Sequence, residues 1–181
     1  MITAILTKYK RLNEISMIKD ILYRHYMIDE ILVRDNSDEN LLSYGKYLLI
    51  PKAKNEIIYY QDDDCIVNNL NELLQSFDGH TMLNNIKASH MDMYSGKDSM
   101  MGWGSVFKKS WVSRLGDYIM KYGVDKYMLR EADRIFTCLI PHKNILADIT
   151  DFPSANAEYA LYKQPEHQGF KHEAIRRACE L

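Results

Sequence analysis

The stretch Asn55–Val67, NEIIYYQDDDCIV, decides how the rest of the chain is read. A strand-like apolar run, EIIYYQ, stops abruptly at three adjacent carboxylates, Asp62, Asp63 and Asp64. Adjacent like charges repel, so at a strand end they stabilise nothing by themselves. Something positive is expected beside them: a metal ion, a Lys or Arg, or in the plainest case only water. In extended backbone Asp62 and Asp64 face one side, leaving Asp63 to contact something else. Hard divalent cations take oxygen ligands, and one or two carboxylates plus substrate phosphates is a common Mg2+ or Mn2+ arrangement. An EF-hand loop starting at Asp62 fails, because Ile66 and Val67 occupy a ligand position and the required glycine position. No GxxxxGK[ST] phosphate loop exists, and GWG at Gly102–Gly104 is not a dinucleotide fingerprint. Standing alone, an acidic triplet is more often a solvated turn.

Outward from this stretch, strand and helix patterns alternate. ITAILT (Ile2 to Thr7) reads as a short buried strand. RLNEISMIKDILYRHY follows, with Leu12, Ile15, Ile18, Leu22 and Tyr26 spaced along one helix face. A second strand, Ile31 to Arg34, ends in a polar turn, and LLSYG reads as a brief helix capped by Gly45. KYLLIP reads as a third strand and EIIYYQ as a fourth. NNLNELLQSF is helical, and Asn69 with Glu72 resembles a capping box. HTMLNNIKAS is strand-like, and HMDMYSGKDSMMGWGS is a Met-rich loop. VFKK is a strand, SWVSRLGDYIMKYG a helix closed by Gly123, EADRIFTCLI another helix and NILADI a strand. The remaining tail is irregular until HEAIRRACE. Such alternation predicts a parallel sheet covered on both faces.

The chain has 181 residues with a net charge of −2, which suits one domain and gives no electrostatic case for a nucleic-acid partner. Its thirteen tyrosines fit either boundary packing or sites that stack planar groups and sugars. Three scattered cysteines argue against a disulfide framework or zinc cluster and suit a reducing compartment. MITAILTKYK lacks a signal-peptide pattern, and no window is long enough for a transmembrane segment, so a cytoplasmic location is expected.

In order along the chain, TKYKRLNEI after the first strand, RDNSD after the second, YYQDDDCIV, GWGSVFKKSWV and READRIF resemble the motifs of GT-A glycosyltransferases. The similarity is to the small nucleotide-sugar-dependent enzymes of the family 2 type, and it covers most of the chain to about Ile140. It implies a three-layer α/β/α, Rossmann-like domain with a mainly parallel central sheet. By that resemblance, residues 1–78 form the nucleotide-binding half, 79–150 the acceptor and catalytic half, and 151–181 a lid-like tail. It implies sugar transfer from a nucleoside-diphosphate donor, UDP-linked favoured, to a carbohydrate or other hydroxyl acceptor, with Mn2+ or Mg2+ and with inversion favoured.

Residue by residue, Thr7, Tyr9 and Arg11 match the turn beside the nucleotide base, and Asp35 the acid that bonds the base. Asp62 and Asp64 match the D-x-D pair that holds the metal and ribose, with Asp63 adding to the donor site. Asp133 matches the general base, although Glu131-Ala132-Asp133 is spaced so that Glu131 can take the role instead. His167, in QPEHQGF, matches a tail histidine that reaches the metal or diphosphate, with Phe152, Tyr159, Tyr162 and Phe170 to pin the tail.

Each residue also has a plainer reading. Asp133 fits a helix-end acid equally well. Trp103 fits the core as well as a sugar platform, and His167 fits a surface histidine. Lys8 and Lys10 fit solvated positions, His90 a loop histidine, and Asp92 and Asp98 solvated loop acids. Two other functions compete. A sugar-phosphate nucleotidyltransferase needs a glycine- and basic-rich loop after the first strand, where TKYKRLNEI has no glycine. A non-catalytic carbohydrate-binding domain of the same fold needs none of the chemistry.

Overall fold

The computed structural model describes residues 1–94, 96–158 and 160–181. Strand β1 (Ile2–Lys8), helix α1 (Leu12–Tyr23), β2 (Ile28–Asp35) and β3 (Ile57–Gln61) come first. Then follow β4 (Cys65–Val67), α2 (Leu70–Gln75), β5 (Met82–Ile86) and β6 (Ser105–Lys108). Helices α3 (Leu115–Tyr122) and α4 (Lys126–Leu139), strands β7 (His142–Leu146) and β8 (Ile149–Asp151), and helix α5 (His167–Ala178) complete the order. Six strands form one sheet in the order β2-β1-β3-β6-β5-β7, parallel except at β6, while β4 and β8 pair separately.

Strands β1 and β3 alternate between two cores. Ala4, Leu6 and Tyr59 face α1 and α2, whereas Ile5, Ile58 and Tyr60 face the side covered by α3, α4 and α5. This period of two forces both faces to be covered, because each presents large buried side chains. From β1 the chain steps to β2 on one side and then to β3 on the other. The order therefore reverses between β1 and β3, and an open sheet leaves a crevice at such a point, beyond the carboxyl ends of its strands. Thr7 and Asp62 lie at those two ends.

Several local expectations are corrected. KYLLIP is not a strand: Leu42–Leu48 and Ile50–Lys52 are short 3-10 helices. Buried Tyr47 and Ile50 stand three apart, which suits 3-10 geometry, and Pro51 has no N–H to give a ladder. Gly45 lies inside the first of these turns rather than capping a helix; a Cβ there would press on Asn36 Oδ1 at 2.8 Å. Helix α1 buries Ile15, Ile18 and Leu22, but Leu12 at its first turn and Tyr26 beyond its end are exposed. Asn69 caps nothing, because its Oδ1 accepts from Asn85 Nδ2 at 3.0 Å and from the Asp148 N–H at 3.3 Å instead.

The helix expected from Glu131 begins earlier, at Lys126, where Asp125 accepts from the N–H groups of Tyr127 and Met128 at 3.0 Å. It breaks at Glu131, whose φ and ψ of −121° and 26° are not helical. The cause is Ser43. Its hydroxyl donates to the Leu129 and Arg130 carbonyls and accepts from the Ala132 N–H at 3.0 Å, so a side chain replaces a rung of the helix ladder. In the tail, α5 starts at His167 rather than His172, and Pro153–Asn156 and Leu161–Lys163 are 3-10 turns. No helix among the described residues is long and apolar enough to cross a membrane.

Candidate active site

A cleft of about 790 Å³ opens at the β1–β3 crevice. Thr7, Tyr9, Arg11, Asp62, Asp63, Asp64, Glu131, Asp133 and His167 all line it. Asp35 does not. It caps the end of β2, where it pairs with Lys8 and accepts from the Ser37 N–H at 2.9 Å, and the Lys8 contact pulls its carboxyl down to about 2. Its neighbour Asn36 lines the cleft in its place.

The triplet leaves the extended backbone at a turn between β3 and β4, so strand alternation does not govern its side chains, and all three line the cleft. Asp63 is buried against Arg11 at 2.5 Å and accepts from the Tyr9 N–H at 2.7 Å. Burial raises its carboxyl to about 6, with the Tyr9 and Arg11 contacts pulling the other way. Arg11 also donates to the Ser154 carbonyl at 2.9 Å and so ties the tail to the site.

Asp62 accepts from the Tyr60 hydroxyl, and its N–H donates to the Gly102 carbonyl at 2.9 Å. A Cβ on Gly102 would overlap the Asp62 carboxylate, so glycine is required for that carboxylate to sit where it does. Asp64 is held through its carbonyl, which accepts from the Phe152 N–H at 2.9 Å. Among the described residues neither Asp62 nor Asp64 has an ion-pair partner, although both line the cleft. Burial, then the neighbouring Asp62, pushes the Asp64 carboxyl up to about 7.

Across the cleft, Asp133 pairs with Lys46 at 2.7 Å and accepts from the Tyr47 hydroxyl at 3.0 Å. Lys46 is only 1% exposed and stands 3.9 Å from the centre of the Tyr60 ring, so it spans from Asp133 toward the Tyr60–Asp62 bond. Burial raises the Asp133 carboxyl and Lys46 opposes that rise. With α4 starting at Lys126, Asp133 is not a first-turn acid.

Glu131 is buried at the break in α4, 3.2 Å from Arg134 and 3.3 Å from His167 Nδ1. Burial carries its carboxyl to about 7, while burial followed by the nearby Arg134, Arg130 and Lys171 lowers His167. Trp103 is buried in the core yet edges the cleft, with Lys87 4.7 Å from its ring centre and His90 packed edge-on. Asp98, expected to be solvated, is buried and paired with Arg134 at 2.5 Å. Phe170 packs against Tyr127, Phe152 packs against the core and Tyr162 is exposed; Tyr159 lies outside the described residues.

No three His, Cys, Asp or Glu side chains among the described residues form a ready metal-binding set, so Asp62, Asp64 and His167 are not gathered as one. What the cleft does offer is two carboxylates without cations, crowded by Asp63 and Asp151. That donor set fits a hard divalent ion whose remaining ligands come from a bound phosphate. Thr7 Oγ1, buried without a hydrogen-bond partner at the same end, is a further polar atom suited to a ligand.

Sequence reasoning missed Lys46, Tyr60, Arg130 and Arg134, and had Lys171 only as a neighbour of His167 in the tail. For Lys46 a signal existed, because a lysine buried within an apolar run implies a buried partner.

No family model and no curated protein sequence matches this chain. Among solved structures it is similar to the mannosyltransferase PcManGT from Pyrobaculum calidifontis in complex with GDP-Man and Mn2+. The TM-score is 0.58 at 11% identity, over 99% of this chain and 73% of that one. It is also similar to glucosyl-3-phosphoglycerate synthase from Mycobacterium tuberculosis in complex with Mn2+, UDP and phosphoglyceric acid, with TM-score 0.53, 11% identity and 99% and 78% coverage. For the glycosyltransferase GlyE of Streptococcus pneumoniae TIGR4 the TM-score is 0.54 at 12% identity, over 96% of this chain and 50% of that one. The chain therefore has the GT-A glycosyltransferase fold, a covered and mostly parallel six-stranded sheet.

Proposed function

We propose that this chain transfers a sugar from a nucleoside-diphosphate donor, UDP-linked favoured, to a hydroxyl of a carbohydrate or other acceptor, with inversion. The observation that carries this reading is the pair of cation-less carboxylates, Asp62 and Asp64, facing a cation-held carboxylate, Asp133, across one cleft. The similar proteins with bound nucleotides support the donor class: one holds GDP-Man and Mn2+, another UDP and Mn2+.

Thr7, Tyr9 and Arg11 line the nucleotide end, and Asn36 rather than Asp35 meets the base from the end of β2. Asp62 and Asp64 would hold Mn2+ or Mg2+, which would supply positive charge against the departing diphosphate. Asp63 supports them by fixing Arg11. At the other side Asp133 takes the acceptor hydroxyl proton. The hydroxyl oxygen forms the new bond to the anomeric carbon, and the bond to the diphosphate breaks with its electron pair leaving on the nucleotide. Lys46 and Tyr47 aim Asp133 and oppose the rise that burial gives its carboxyl, while Glu131, raised by burial to about 7, is the second candidate for that proton. His167 stands on the Glu131 wall and reaches the metal or diphosphate only from there.

The test is a panel of UDP- and GDP-sugars with Mn2+, read by thermal shift and by release of the nucleoside diphosphate. Stabilisation and turnover with at least one donor are expected. If no nucleotide stabilises the chain and none is turned over, the reading fails.

A further inference from the structure

The cleft wall opposite the acidic turn carries more positive charge than its carboxylates balance. Arg134 is matched there by Asp98 at 2.5 Å and Glu131 at 3.2 Å. Arg130 and Lys171 have no carboxylate partner among the described residues, yet both line the cleft. Arg130 stacks on Phe170, its guanidinium carbon 4.4 Å from the ring centre, and its buried Nε and Nη2 have no hydrogen-bond partner. Lys171 lies on α5 with Nζ 5.4 Å from the centre of the Tyr94 ring.

Aromatic faces orient both cations without neutralising them. A chain of net charge −2 that leaves two oriented cations unpaired inside a cleft is arranged to receive negative charge there.

This wall is built on α4 and α5, where His167 Nδ1 stands 3.3 Å from Glu131, whereas at the acidic turn Arg11 pairs with Asp63. The strongest charges acting on Asp64 are those of Asp62, Arg11, Asp63 and Asp151. Those acting on Glu131 are Arg134, Asp133, Arg130 and Lys171. The surplus cations thus belong to the Glu131–Asp133 end, where the acceptor hydroxyl must lie if Asp133 takes its proton.

We propose that Arg130 and Lys171 form an oxyanion subsite that recognises a phosphate or carboxylate on the acceptor. The acceptor is then an anionic hydroxy compound rather than a neutral sugar. The acceptor assignment rests on the sugar-transfer reading; the anion subsite itself does not.

The probe is inorganic phosphate, titrated calorimetrically into the protein loaded with UDP and Mg2+, and separately into the free protein. UDP with Mg2+ is titrated in parallel. The variants are Lys171→Gln, Lys171→Arg and the double variant Arg130→Gln/Lys171→Gln. Phosphate is expected to bind the wild type and Lys171→Arg, and to bind the double variant at least ~10-fold more weakly, with UDP affinity kept within about twofold. A matching loss of UDP affinity would assign the two cations to the donor diphosphate and overturn the proposal. Undetectable phosphate binding by the wild type, or undiminished binding by the double variant, overturns it as well. Should the double variant fail to fold, Lys171→Gln against Lys171→Arg decides, since Lys171 lies at the cleft surface. If UDP does not bind the wild type, the sugar-transfer reading falls instead, and phosphate titration of the free protein still decides the anion subsite.

Discussion

Two groups of carboxylates face each other across the cleft, and they are held in opposite ways. On α4, Asp133 has Lys46 and Glu131 has Arg134, so each buried acid carries its own cation. In the turn after β3 only Asp63 does, through Arg11, and Asp62 and Asp64 are left with a tyrosine hydroxyl and a backbone contact. Burial raises carboxyls on both sides, so burial alone does not distinguish them. The difference is a missing positive charge at the turn. A complete α4 side suits a group that exchanges a proton, and an incomplete turn suits one that waits for a cation.

The comparison breaks first at Asp133. Asp133→Asn is expected to cut sugar transfer by ~10²–10⁴-fold while donor binding persists, measured as nucleotide release against calorimetric affinity. Full activity in that variant with loss in Glu131→Gln would move the base to Glu131.

Lys46→Met tests the balance itself, because it strands Asp133 in a mostly buried place. A stability loss of about 3–5 kcal/mol is expected in urea unfolding. A near-neutral result would show that Lys46 is not what compensates Asp133.

At the turn the opposite is expected. Asp64→Asn should lower metal-dependent UDP affinity by about 10²-fold without lowering the melting temperature, since it removes one of several repelling charges. An unchanged affinity with Mn2+ would remove the metal assignment.

The pH dependence sharpens the same point. Asp64 and Glu131 sit at about 7 when folded, against ordinary values of 3.8 and 4.5. Groups raised on folding bind protons more tightly in the native state, so they favour the fold at low pH. That contribution is lost as pH rises from about 4 through about 7. Metal-free protein should therefore lose stability across this window, and Asp64→Asn or saturating Mg2+ should flatten the fall. A stability that rises over the window would contradict the crowding of Asp64.

The smallest effect is expected at the break in α4. Ser43→Ala removes the hydroxyl that bridges Leu129, Arg130 and Ala132, at a cost of about 1–2 kcal/mol. If the break aims the acids, transfer should fall more than donor affinity does.

Much of the architecture follows from local pattern. Alternation in β1 and β3 places Ile5 and Tyr60 on one face and Leu6 and Tyr59 on the other, and a run buried on both faces must sit inside a sheet. The spacing of Ile15, Ile18 and Leu22 is enough for α1, and Gly123, with φ at 74°, closes α3 as its position suggests. The acidic turn also stands out in sequence, because a strand ending in three carboxylates has no local explanation.

What sequence could not decide is which charge meets which. Arg11 and Asp63 are 52 residues apart, Lys46 and Asp133 are 87, and neither pair leaves a local trace. Lys46 lies in a run whose composition suits a strand, and only the packing of Tyr47 and Ile50 against the second core winds it into a 3-10 turn that delivers the ammonium to α4. Local periodicity determines which residues are buried, because hydrophobic burial responds to the spacing of side chains along an element. Charge balance is decided by the tertiary structure, because ion pairing depends on distances between elements remote in the chain, and those exist only once the sheet has brought its strand ends together.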